Sequence, residues 1–286
     1  TATVGYALAN VVSSVALVLL NKKVFAKGFH FPLTLSFFHF CFTVVFYKLL
    51  LASAAFTMPQ KTISTLEKFK VATAGVASIG FMNISLAHNS VGFYQVTKLT
   101  IVPITLVFNY FLLGITTTIK IKFALVVLLG GVGIATVSDV SLNPLGMFFG
   151  LLAVLSTSLF QIWQGSKQKE YGYSGAQLQS AVAPWQAAVS LVAALATETQ
   201  CVNGTAVCDS ATDFLFSASR RKKAAHLIFG TCMLALLVNF SSFGLIGKTS
   251  PTTFQVVGHA KTCLVLLGGF LLFPITMSTE ELYFDM

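Results

Sequence analysis

The sequence predicts an all-α membrane protein that crosses the bilayer many times. Charged residues make up 9% of the chain, against about 25% in soluble domains. Hydrophobic residues make up 55% and lie in long runs with short polar breaks. A soluble domain of this length would need many more charges to cover its surface, whereas lipid suits this composition. The net charge of +9 does not indicate nucleic-acid binding, because the basic residues lie mostly at the ends of apolar runs.

Nine segments approach the roughly 20 mostly apolar residues that a membrane-spanning helix needs. Proline, asparagine and glycine mark most of the breaks, as at Phe31-Pro32, Asn143-Pro144 and Gly172-Tyr173. One hydrophilic connection is long and covers residues 198–223. The predicted spans are 4–21, 32–56, 70–88, 91–114, 121–138, 144–164, 175–197, 225–246 and 252–273.

The two halves of the chain resemble each other. Residues 89–96 align without gaps on residues 249–256 and share a serine, an aromatic residue, a glutamine and a valine. This similarity predicts two repeats of five helices, one in residues 1–140 and one in residues 141–286. An odd number of helices in each repeat makes their orientations opposite, as in the inverted repeats of secondary transporters. We expect the tenth helix, after residue 273, to be truncated or divergent.

Further matches extend the repeat upstream. Asn83 and Ser85 match Asn239 and Ser241. In addition, Ser13 precedes Lys22 by the same interval that separates Ser158 from Lys167. These matches assign the first three spans to the sixth, seventh and eighth.

The charge distribution predicts the orientation of the chain. A cytosolic amino terminus places most lysines near cytosolic span ends, and it places the long loop 198–223 in the lumen. That loop contains Asn203-Gly204-Thr205, a glycosylation acceptor. Cys201 and Cys208 flank the acceptor and are a candidate disulfide in an oxidising lumen.

Two lysines are predicted to lie inside the membrane. Lys98 is eight residues beyond Ser90, about 12 Å along a helix, and Lys261 is eleven beyond Ser250, about 16 Å. Since the two helices start from opposite faces of a hydrocarbon core about 30 Å thick, both lysines should reach the midplane. A lysine there is costly unless water, a carboxylate or a bound anion meets it. No Asp or Glu lies clearly inside a span, so we expect a substrate with about two negative charges; snorkelling to an interface is the alternative.

Polar residues near these lysines are candidate substrate contacts, although for each one a hydrogen bond between helices is at least as strong an explanation. No catalytic triad, paired carboxylates or metal cluster is recognisable, and we expect neither enzymatic activity nor a cofactor. Gly146 and Gly150 form a GxxxG pattern that indicates helix packing. The candidate substrate-binding residues are Lys98, Lys261, Tyr94, Gln95, Thr262, Asn83, Asn239, Gln255 and His259.

Residues 89–98 and 247–262 resemble the triose-phosphate translocator/nucleotide-sugar transporter family of the drug/metabolite transporter superfamily. The resemblance implies the drug/metabolite transporter fold, with ten spans and cytosolic termini. Plastid phosphate translocators of this family carry Lys-Arg in the ninth span. Here the pair is Lys261-Thr262, which is similar to the lysine-threonine branch that includes Golgi UDP-sugar transporters and solute carrier family 35 E-type proteins.

The resemblance implies an antiporter that exchanges a nucleotide sugar, with UDP-sugars favoured, for a nucleoside monophosphate. The expected membrane is that of the Golgi or endoplasmic reticulum, and a homodimer is one candidate assembly. A plastid inner-envelope translocator for triose phosphate or phosphoenolpyruvate and phosphate is the first alternative. A non-transporting membrane regulator or degraded paralogue is another. The base and the sugar are left open.

Overall fold

The computed structural model of this chain is a bundle of long α-helices. It describes residues 2–26, 29, 31–89, 91–116, 118–119, 123–124, 126–127, 130, 143–198, 218–255 and 257–258. A further helical segment begins at Pro251. Seven long helices, numbered here in chain order, are α1 (Ala2–Ala26), α2 (Pro32–Ala52), α3 (Thr65–His88), α4 (Val91–Leu113), α5 (Pro144–Tyr171), α6 (Gly175–Thr197) and α7 (Ala218–Lys248).

Most of these helices are suited to a membrane. Five contain stretches that are long and apolar enough to cross it, in α1, α2, α5, α6 and α7, and α4 contains a shorter apolar stretch, Thr97–Leu113. Large apolar side chains such as Val12, Phe111 and Val192 are exposed on the outside of the bundle, where lipid would meet them. The prediction of an all-α membrane protein is confirmed.

The observed helix ends agree with the predicted spans to within a few residues at most positions. The largest differences are at α5, which continues past 164 to Tyr171, and α7, which begins at Ala218 rather than 225. Both extensions are polar turns beyond the apolar run, and hydropathy does not detect such turns. The predicted fifth span, most of the ninth and the loop residues 199–217 lie outside the described residues, apart from a few positions of the fifth span.

Local chemistry sets the start and end of the helices around α5. The Asn143 side chain accepts a hydrogen bond from the backbone N–H of Leu145 at 2.9 Å, and Pro144 occupies the first turn. Gly172 ends α5 in the left-handed region, with φ of 69°. Ser174 and Gln177 then form a capping box that starts α6. The α5–α6 hairpin, residues 144–197, is therefore tightly connected.

Helix α5 lies inside the bundle and contacts α3, α4, α6 and α7, while α1 packs along α7 and α2 packs along α6. The contact with α3 runs over the GxxxG glycines. Ser85 donates a hydrogen bond to the carbonyl of Gly146 at 2.8 Å, and a Cβ added at Gly150 would lie 3.0 Å from Ser85 Oγ. The predicted packing role of these two glycines is confirmed.

The repeat alignment matches α1 with α5, α2 with α6 and α3 with α7. Under this alignment the largest contacts between helices correspond to one another. The contact between α3 and α5 corresponds to the contact between α7 and α1. These are the two most extensive contacts among the described residues. The contact between α2 and α6 corresponds to itself. An inverted repeat predicts this pattern, and the boundaries at 1–140 and 141–286 stay a prediction.

Candidate substrate-binding site

The interior of the bundle contains many polar side chains. Because polar groups are costly in hydrocarbon, their position inside the bundle indicates a polar site or path between the helices. Several are long amides, which can both donate and accept hydrogen bonds. Buried polar residues include Asn10, Thr43, Thr97, Thr105, Ser158, Gln161, Gln164, Gln168, Gln179, Gln186 and Gln255.

Lys98 lies within α4, on the side that faces the bundle interior. It is half-buried, and the neighbouring Thr97 is buried. Thr105, seven residues later, lies on nearly the same side of the helix and is fully buried. Lys98 therefore lies within a long helix, on the side of the buried Thr105, and its placement inside the membrane stays a prediction.

Pro103 interrupts the hydrogen bonding of α4 one turn beyond Lys98. Proline has no N–H to bond the carbonyl of Leu99, and its ring crowds that carbonyl, so a helix bends at such a position. The segment of α4 that contains Lys98 is thereby separated from the rest of the helix by a bending point.

Helix α5 contacts both α4, which contains Lys98, and the helical segment that begins at Pro251. Thr105 of α4 donates a hydrogen bond to Ser158 Oγ of α5 at 3.1 Å. One turn later, Gln161 Oε1 accepts a hydrogen bond from Gln255 Nε2 at 2.7 Å. Gln255 belongs to the helical segment that begins at Pro251 and leads toward Lys261. A single turn of α5 therefore contacts both α4 and the segment that precedes Lys261 in the sequence.

The start of that last segment agrees with the prediction. The Ser250 side chain accepts a hydrogen bond from the backbone N–H of Thr253 at 3.1 Å, and Pro251 is the first helical residue. Lys261, Thr262 and His259 lie outside the described residues.

The other predicted site residues divide into two groups. Asn83 on α3 and Asn239 on α7 are half-buried, and the backbone of Tyr94 and Gln95 is helical in the turn before Lys98. Asn203 and the candidate disulfide partners Cys201 and Cys208 lie outside the described residues. The structure therefore brings together the Lys98 helix, α5 and Gln255, and the contacts of the remaining candidates stay predictions.

The glutamines of α5 are absent from the sequence-based candidates. Gln161, Gln164 and Gln168 are spaced by three and four residues, which places them along one side of the helix. A run of amides on one side of an otherwise apolar helix was the signal that could have revealed them. Gln179 and Gln186 repeat it on α6 at an interval of seven residues.

The three carboxylates of the described residues are all engaged at helix ends. Glu67 binds Lys167 at 3.0 Å, and Glu170 binds the same lysine at 2.7 Å. Hydrogen bonds from Lys167 and then Lys70 hold the pKa of the Glu67 carboxyl below its usual value. Glu198 accepts hydrogen bonds from the backbone N–H of Leu33 and Thr34 at the start of α2. Within the described bundle, the fixed negative charge is thus at the ends of the helices.

Comparison with known proteins decides the family. Residues 4–282 match the model of the Triose-phosphate Transporter family. The chain belongs to this family. Among its relatives, UDP-xylose transporter 2 of Arabidopsis thaliana is 39% identical over 98% of this chain and 76% of the relative. UDP-rhamnose/UDP-galactose transporter 1 of Arabidopsis thaliana is 36% identical over 96% of this chain and 76% of the relative.

Membership in the family confirms several sequence-based expectations. The resemblance stated from residues 89–98 and 247–262 is correct, and the fold class is that of a drug/metabolite transporter. The chain is an integral membrane transporter of this family and not an enzyme.

Proposed function

We propose that this transporter is a nucleotide-sugar antiporter that takes UDP-sugars. The observation that carries the proposal is the similarity, over nearly the whole chain, to transporters named for UDP-xylose and for UDP-rhamnose and UDP-galactose. The counter-substrate is a nucleoside monophosphate, and the membrane is that of the Golgi or endoplasmic reticulum.

The site chemistry supports this substrate class. The diphosphate of a UDP-sugar carries about two negative charges near neutral pH, which the pair Lys98 and Lys261 neutralises in a medium where uncompensated charge is costly. Uracil, ribose and the sugar offer N–H, carbonyl and hydroxyl groups. Neutral amides such as Gln161 and Gln255 bind such groups without adding charge.

Exchange follows from the same charges. A nucleoside monophosphate also carries about two negative charges, so one lysine pair serves both substrates. An empty site would leave two cations in the membrane interior, and the carrier returns loaded for that reason. In an inverted-repeat carrier the repeats 1–140 and 141–286 exchange their conformations, and this exchange exposes the site to each side in turn.

Uptake into proteoliposomes tests the proposal. Vesicles preloaded with UMP should accumulate UDP-xylose, UDP-galactose or UDP-rhamnose, and vesicles without UMP should accumulate far less. GDP-mannose serves as the control for base recognition, and liposomes without protein give the background. Absence of all nucleotide-sugar uptake by folded protein would overturn the assignment.

The plastid-type alternative has a distinct outcome in the same assay. A triose phosphate exposes a terminal phosphate dianion, which an arginine beside the lysine would bind in bidentate fashion. Here that neighbour is Thr262, so we expect no exchange of phosphate with triose phosphate or phosphoenolpyruvate. Such exchange, without any nucleotide-sugar uptake, would establish the plastid-type activity instead.

A further inference from the structure

The described bundle is tightly closed at one end. There the end of α5 and the start of α6 press against the last turns of α7. Gln168 Nε2 donates a hydrogen bond to the carbonyl of Phe243 at 3.1 Å. A Cβ added at Gly175 would lie 2.5 Å from the backbone nitrogen of Gly244. The backbones therefore meet with no side chain between them.

Glycine makes this approach possible on both sides of the contact. A Cβ at Gly247 would collide with the Gln168 amide, and one at Gly165 would lie 3.2 Å from Ile246 Cγ2. The same end contains the ion pair between Glu67 and Lys167, and the charge distribution assigns this end to the cytosol.

The matching contact in the other repeat is much smaller. Under the repeat alignment, the α5–α7 contact corresponds to the α1–α3 contact, and the α6–α7 contact corresponds to the α2–α3 contact. Among the described residues, α2 touches α3 only slightly, and α1 and α3 make no comparable contact. The large α3–α5 and α1–α7 contacts, in contrast, are preserved under this alignment. The difference between the repeats is therefore concentrated where the α5–α6 hairpin meets α7.

The closed contact also contains an unsatisfied group. Gln164, one turn before Gln168, is 1% exposed, and its Nε2 has no hydrogen-bond partner. A buried amide N–H without a protein partner carries a desolvation cost. Opening the contact would let water or substrate reach this amide. The closed arrangement is thus stabilised by the Gln168 bond and by close packing, and it is destabilised by Gln164.

We propose that the contact between the α5–α6 hairpin and the carboxyl end of α7 is the cytosolic gate of the transporter and that Gln168 is its latch. This inference rests on the proposed transport function. When the gate opens, the Gln168–Phe243 bond breaks, and α1 and α2 close on α3 at the opposite end. The bond is between neutral groups, so its release leaves no bare charge in the membrane.

Cross-linking tests whether the contact must open. In a background whose native cysteines are replaced by alanine and which still transports, Gly165→Cys is combined with Ile246→Cys. An added Cβ at position 165 lies 3.2 Å from Cγ2 of Ile246, which is close enough for a disulfide to be attempted between the two positions. The matched control combines Ser78→Cys with Thr157→Cys, whose side chains hydrogen-bond across the preserved α3–α5 contact.

Oxidation should stop exchange through the 165/246 pair, and reductant should restore it. The 78/157 pair should cross-link with exchange largely retained. Wild-type exchange rates in the cross-linked 165/246 protein would show that this contact does not open during transport and is not a gate.

The latch is tested without any substrate. A membrane-impermeant maleimide added to the cytosolic side should label Gly165→Cys slowly, because Gly165 is buried. In the Gln168→Leu background, labelling should be about fivefold faster, since one ordinary hydrogen bond is lost from the closed state. An unchanged rate would remove Gln168 as the latch. Because this readout needs no uptake, its failure is distinct from a failure of the proposed function.

Discussion

At the scale of single residues, Lys98 is the described residue whose position most strongly indicates a role in transport. It lies within α4, and Thr105 on nearly the same side of α4 donates a hydrogen bond to Ser158 of α5. Ionisable residues in this position usually bind substrate or move charge. The carboxylates of the described residues lie at the helix ends, and we expect an anionic substrate to bind Lys98 during transport.

We predict that Lys98→Ala abolishes exchange and leaves a folded protein. Removing one partner of a buried ion pair typically costs about 3–5 kcal/mol, which corresponds to a loss of roughly 100-fold or more in binding. Uptake of UDP-sugar in proteoliposomes measures the loss, and size-exclusion profiles in detergent report folding. Lys70→Ala is the control, because Lys70 is exposed in the second turn of α3. Normal uptake by Lys98→Ala would rule out Lys98 as the anion-binding group.

Glu67 has a structural role that depends on pH. Its carboxylate lies between Lys167 and Lys70, which bind it at 3.0 and 3.1 Å. Because its pKa is lower in the folded protein than in the unfolded chain, the stabilisation is present above the unfolded value and is lost as pH falls through the folded value.

We expect Glu67→Gln to lower the free energy of unfolding by roughly 0.5–1 kcal/mol at neutral pH, as partly exposed ion pairs do. The difference from wild type should shrink as the pH falls through the lowered pKa of Glu67, because the wild-type carboxylate then becomes neutral as well. Thermal unfolding in detergent across this pH range measures both points. A difference that persists at acidic pH would mean that packing, not charge, is responsible.

At the scale of helices, close approach depends on glycines that no other residue can replace. Gly146 receives the end of α3, and an added Cβ would collide with the side chain of Asn89 and lie 2.9 Å from His88 Cβ. Helix association in membranes relies on such packing, since apolar side chains gain little from leaving lipid.

Gly146→Ala should destabilise the protein by about 1–3 kcal/mol through overpacking of the α3–α5 contact. Gly5→Ala is the matched control, because a Cβ there meets nothing within 4 Å. That change should be neutral or slightly stabilising, since alanine favours helix more than glycine by up to about 1 kcal/mol. The two melting temperatures in detergent give the comparison. Equal effects of the two substitutions would show that the α3–α5 contact tolerates a wider spacing.

At the scale of the whole molecule, orientation in the membrane determines which compartment receives the substrate. Charge counting assigns the loop 198–223 to the lumen and the gate to the cytosol. The glycosylation acceptor at Asn203 provides an independent test of this orientation.

We predict that the protein expressed in eukaryotic cells runs at a higher apparent mass, that an endoglycosidase removes the difference, and that Asn203→Gln lacks it from the start. A glycan can be added only in the lumen, so the shift reports the side on which the loop lies. An engineered cysteine next to Asn203 that a membrane-impermeant reagent labels only from the cytosol would reverse the predicted topology.

The amino-acid sequence was sufficient to predict the membrane class, the approximate positions of most spans, the place of Lys98 within α4 and the family. These properties follow from composition along short stretches. Lipid requires a continuous apolar run with internally satisfied backbone, and a charge within such a run is visible without knowledge of the fold.

The packing of the helices was needed to show which side of each helix faces the interior and how the polar groups pair. Gln161 and Gln255 are 94 residues apart, and nothing in the sequence around either one indicates the other. Lipid and a neighbouring helix are both largely apolar, so hydropathy does not distinguish the side of a membrane helix that faces lipid from the side that packs on another helix. The bridging position of α5, the bond from Gln168 to Phe243 and the unequal contacts of the two repeats therefore emerge only when the helices are packed together.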